Sequence, residues 1–156
     1  MKGTSLVLAL WLSVAIQSAQ AVQVNFQGGL VESLPCTINE DRLIEVAFGD
    51  ALIIRNLDGV RYRKPIIYQI DCSALGIVRL SVQGNVAGFD NAAVQTNKTG
   101  LGIHLEQAGQ AFALNTPIVV DPANPPALTA VPVVNPAQLP SPGAFTARAT
   151  LLAEYQ

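Results

Sequence analysis

Apolar and polar residues alternate with a period of two over much of this chain, the spacing that puts successive side chains on opposite faces of a strand. The clearest case is "AFTARATLLAEYQ", residues 144 to 156. Phe145, Ala147, Ala149, Leu151, Ala153 and Tyr155 share one face, while Thr146, Arg148, Thr150, Glu154 and Gln156 share the other, with Leu152 the one apolar intruder. "VQVNFQGGL" repeats the pattern near the start, with Val22, Val24, Phe26, Gly28 and Leu30 set against Gln23, Asn25, Gln27 and Gly29. Between them, "LIEVAFGD" (43–50), "KPIIYQIDC" (64–72), "GIVRLSVQGN" (76–85) and "LGIHLEQ" (101–107) are short and rich in β-branched or alternating apolar residues. Gly, Asn, Asp and Pro punctuate them, and no window sustains a helical period. Such spacing predicts an all-β protein, a β-sandwich of immunoglobulin type.

Eight of the ten prolines fall between Pro117 and Pro142. Because proline has no N–H to give a ladder, this stretch is expected to be a partly extended loop near a sheet edge rather than a central strand. A polyproline ligand for a signalling domain is the functional alternative, and an exported protein gives it little support.

Export itself is read from the first residues. Met1-Lys2, the apolar run Leu6 to Ile16 and the ending Ala19-Gln20-Ala21 have the form of a secretory signal peptide over residues 1–21. Cleavage leaves Val22 first, and no later stretch has the roughly 20 apolar residues a membrane helix needs. Loss of the leader removes one of nine basic residues and none of the eleven acidic ones, so the remainder is acidic. With no basic stripe, nucleic-acid binding is not expected. The remaining length suits one domain with a hydrophobic core. Cys36 and Cys72 are the only cysteines, and in an oxidising compartment such a pair reads as one disulfide.

Catalytic chemistry finds little purchase. His104, the only histidine, alternates with Gly102 and Glu106 on the outward parity of its strand and has no partner visible in the sequence. There is no nucleophile elbow, zinc motif, phosphate loop or nucleotide fingerprint. The sequence therefore points to no enzyme, no catalytic residue, no metal and no cofactor. Glu40-Asp41 reads as a solvated turn, and "NKT" at 97–99 as a sequon without weight in a bacterial exported protein. The basic cluster "RYRK" (61–64) is either a solvated loop or a contact for an acidic partner or glycan.

A core-type strand that closes the sequence leaves an open edge and an uncovered apolar groove. The strand at Val22 to Leu30 either pairs within its own domain or fills a groove elsewhere. Gly28 at its centre marks either a close approach to an acceptor core or a bulge at Gly28-Gly29.

Taken together, the motifs resemble the subunits of chaperone/usher pili, the fimbrial proteins of Gram-negative bacteria. The residues that carry this are the V-x-F-x-G-x-L pattern at Val24, Phe26, Gly28 and Leu30, "PCTIN" at 35–39 and "VAFGD" at 46–50. "YQIDC" before the second cysteine, "LGIHL" at 101–105 and the C-terminal strand with penultimate Tyr155 complete the set. The resemblance implies an incomplete immunoglobulin-like sandwich lacking its final strand and completed in trans by donor-strand complementation. It assigns residues 22–32 as a donor extension, with Val22, Val24, Phe26, Gly28 and Leu30 inserting into a neighbour, and residues 33–156 as the pilin domain. Phe145, Ala147, Ala149, Leu151, Ala153, Tyr155 and Gln156 are then the acceptor groove and the surface a chaperone pairs with. The implied partners are a periplasmic chaperone, an outer-membrane usher and neighbouring subunits, and the implied location is a fimbria on the cell surface. The short extension and the "VNFQGGL" wording look closest to minor adaptor or tip-fibrillum subunits of P-type pili, which support adhesion. A major rod subunit, a terminating subunit and a self-complete secreted sandwich that binds ligands through loops are the alternatives.

Overall fold

The computed structural model describes residues 24–30, 36–73 and 76–155, in two units, 1–31 and 32–156. In the first unit, residues 24–30 have no regular secondary structure, and Val24, Phe26 and Leu30 are exposed. Val22, the leader and Gln156 lie outside the described residues.

The second unit is built from short strands in chain order: β1 (Cys36–Ile38), β2 (Lys64–Ile66), β3 (Ile70–Cys72), β4 (Val78–Gly84), β5 (Val86–Ala87) and β6 (Asp90–Gln95). They continue with β7 (Leu101–Gln107), β8 (Gln110–Ala111), β9 (Ile118–Val120), β10 (Leu128–Val134) and β11 (Ala149–Tyr155). Every pairing is antiparallel. One sheet runs β2-β10-β7-β6-β5 with β8 beside β7, the second runs β11-β4-β9, and among the described residues β1 pairs only with β3.

Alternation explains how the two larger sheets meet. Val78, Leu80 and Val82 of β4 face Ile103 and Leu105 of β7 and Leu128 and Ala130 of β10, and all are buried in one apolar core. Tyr68 joins that core between β2 and β3; its hydroxyl donates to the Pro126 carbonyl at 2.6 Å, and burial pushes its pKa up to about 12. Cys36 and Cys72 stand opposite each other in the β1–β3 register and form the disulfide.

The proline-rich stretch corrects the sequence expectation. Instead of an edge loop it contains β9 and the seven-residue β10, which lies between β2 and β7. Pro132 is tolerated because β2 pairs only with Leu128 to Ala130. Beyond that point β10 has β7 on one side and an isolated Asp58–Val133 bridge on the other. A second departure concerns residues 43–50, where the expected strand is absent: the segment has no ladder partner among the described residues. Its alternation nevertheless survives, with Ile44, Val46 and Phe48 half-buried and Leu43, Glu45 and Ala47 exposed.

The outer face of β7 is covered rather than solvated. Glu106 is buried there, accepting from Arg63 Nη2 at 2.7 Å and from Thr129 Oγ1 at 3.0 Å. Burial pushes its carboxyl up, but the hydrogen bonds from Arg63 and Thr129 and the Arg63 charge outweigh this and hold it below the usual carboxylate range. A depressed folded pKa contributes stability that is present above the unfolded value, about 4.3, and lost as pH falls through the folded one. Glu106→Gln is therefore expected to melt below wild type at pH 7. The gap is expected to narrow as pH is lowered from about 5 toward 3, and parallel melting curves at all pH values would contradict this assignment.

Candidate functional site

Residues 43–48 and the edge of β11 without a ladder partner among the described residues bound an apolar groove of 920 Å³. Ile44, Val46 and Phe48 form one wall. Phe145, Ala147, Ala149, Leu151 and Ala153 form the other, and Phe48 meets Phe145 across one end with ring centroids 6.1 Å apart. The floor is core: Val82, Val94, Ile103, Leu105, Leu128 and Ala130. Among the described residues β11 pairs with β4 on one side, and from Ala149 to Glu154 its other edge has no ladder partner among them and runs beside an apolar trough. Such a shape takes an extended chain with alternate apolar side chains, because backbone bonds along β11 and pockets along the floor have the same period of two.

Five of the acceptor residues singled out from the sequence line this groove. Tyr155 does not; it sits in register with Val78 and packs against the core, where a Cβ on Gly76 would lie 3.0 Å from its ring. Paired strand structure in this segment begins at Ala149, and before it Ala147 makes only an isolated bridge to Thr96. The wall formed by residues 43–48 was legible as an alternating segment, but its role as a wall was not. The floor residues carried no sequence signal beyond apolarity.

The remaining polar clusters are internal. Arg61 pairs with Asp58 at 3.5 Å and Arg63 with Glu106, which places "RYRK" in the domain's own framework. Glu40 pairs with Arg42 at 3.2 Å beside a turn in which Asn39, Glu40 and Asp41 all have left-handed φ. His104 has the outward parity expected of it but is half-buried, its Nδ1 2.5 Å from Asp90 Oδ2, so the structure supplies a partner that the sequence did not reveal. No group of metal-ligating side chains occurs among the described residues.

Fold and groove together define an immunoglobulin-like sandwich with one edge open to an added strand. The model of the family described as "Fimbrial protein" matches residues 24–156, and the chain belongs to that family. The uncharacterized fimbrial-like protein YfcQ of Escherichia coli K12 is 36% identical over the full length of both chains. YfcR of the same strain is 36% identical over 78% of this chain and 74% of its own. Among solved structures, the P pilus adaptor subunit PapF is 27% identical with a TM-score of 0.60, covering 80% of this chain and 98% of that one. The P pilus rod subunit PapA, at 24% identity and the same TM-score over 86% and 100%, shares the fold.

Proposed function

We propose that this chain is a structural subunit of a chaperone/usher-assembled fimbria that polymerises by donor-strand exchange, in a minor adaptor or tip position that supports adhesion. The observation that carries the reading is the open groove between residues 43–48 and β11, apolar along its floor and bounded by an unpaired strand edge. Residues 22–32 supply a strand of matching alternation, and Val24, Phe26 and Leu30 are exposed for that purpose. Before assembly, a periplasmic chaperone fills the groove with a strand of its own. An outer-membrane usher then exchanges it for the next subunit's extension, and the product stands on the cell surface. The short extension from Val22 to Pro35 and the 27% identity over nearly all of PapF support the adaptor position. Nothing in this role calls for catalysis or a cofactor.

The test is thermal unfolding of the chain from Val22 onward, with and without excess peptides, one of residues 22–32 and others from candidate neighbours. A clear rise in melting temperature with a donor is expected, and the order of preference among donors gives the order of subunits. Indifference to every donor would leave a closed or self-complete sandwich and remove the adaptor reading.

A further inference from the structure

Arg148 borders one end of the groove, and this gives the groove a direction. At the end where residues 145–148 precede β11, the Asn97 N–H donates to the Thr146 carbonyl at 3.0 Å and the Thr146 N–H to Asn97 Oδ1 at 2.8 Å. Residues 96–98 therefore stand beside the mouth of the groove. A polar hollow of 330 Å³ opens there, and Thr146, Ala147 and Arg148 border both hollow and groove. None of its lining residues is acidic. Arg148 is exposed and takes part in no ion pair among the described residues, and Lys98 Nζ reaches only the Pro142 carbonyl, at 3.1 Å. The opposite end carries both signs: Asp41, Arg42 held by Glu40, and Glu154 opposite Arg79 in the β11–β4 register.

Every strand pair among the described residues is antiparallel. A strand added to β11 in the same sense runs from the Tyr155 end toward the Phe145 end, and the residues that follow it emerge at the mouth that Arg148 borders. In a second copy of this chain those residues are Val31 to Pro35, and Glu32 is the only charged residue between Val22 and Pro35. We propose that Arg148 receives the Glu32 carboxylate of a second copy, so that an ion pair at the mouth pins the direction and register of the inserted strand. This rests on the donor-strand reading above. Its contribution lies in association rate and in the choice of partner more than in final affinity, because the pair is solvent-exposed.

The experiment measures uptake of a fluorescent peptide of residues 22–35 by the chain from Val22 onward, at low and high salt. Three receptors, wild type, Arg148→Gln and Arg148→Glu, are combined with three peptides, wild type, Glu32→Gln and Glu32→Arg. Melting curves check that the exposed Arg148 variants fold as wild type does. Either neutralisation is expected to slow uptake about threefold to fivefold at low salt, with the difference shrinking at high salt. The charge-reversed pair, Arg148→Glu with Glu32→Arg, is expected to recover most of the loss. Equal uptake by all nine combinations overturns the pin and leaves the groove reading standing. Uptake of no peptide by any receptor overturns both.

Discussion

A chain that carries a second copy of residues 22–32 after Gln156, joined by a short Gly/Ser linker, is expected to unfold roughly 10–30 °C above the unextended chain and to remain monomeric. Burying Val22, Val24, Phe26 and Leu30 at about 1.5–3 kcal/mol each gives a gross gain on the order of 6–12 kcal/mol. Ordering the inserted residues takes back a large part of this, though the tether reduces the cost of bringing the strand to the groove. Backbone bonds to the free edge of β11 add direction, and the floor from Val82 to Leu128 leaves water. Phe26→Asp in the appended copy is expected to abolish the gain, because it places a charge against that floor. Calorimetry and size-exclusion chromatography read both properties. No change on appending the strand would mean that the groove does not take one.

Replacing both cysteines with serine is expected to lower stability by about 4 kcal/mol, equivalent to a fall of about 10–15 °C in melting temperature. The bond closes a loop with a sequence separation of 36 and joins β1 to β3, which among the described residues pair only with each other. Its loss frees both the entropy of that loop and the anchor of the chain leading into residues 43–48. Donor uptake is therefore expected to weaken along with stability. Thermal melts of the double variant and of reduced wild type are expected to coincide. A variant that melts within a few degrees of wild type would show that the β1–β3 pair holds without its cross-link.

Periodicity within a segment is a local property, and the chain wrote it plainly. β7 occupies the stretch the alternation marked, Leu101 to Gln107, and β4 lies inside the marked 76–85. The expected strand at 64–72 divides into β2 and β3 around residues 67–69. The apolar face of residues 145–153 was readable for the same reason. Pairing is not local. β6, with the sequence DNAAVQ, has few strong strand formers and is a strand because β7 and β5 flank it; β10 holds a proline because β2 stops short of it.

The sequence by itself determined which side chains share a face, which cysteines can bond, and that two alternating segments needed something to cover them. Only the tertiary structure decided that residues 43–48 form a wall with no ladder partner among the described residues, that core residues from four other strands form a floor, and that Arg148 borders one end of the groove. A groove is the absence of a strand between two walls brought together from distant parts of the chain. No single stretch can encode that, because each wall's alternation is the same whether its neighbour is present or missing.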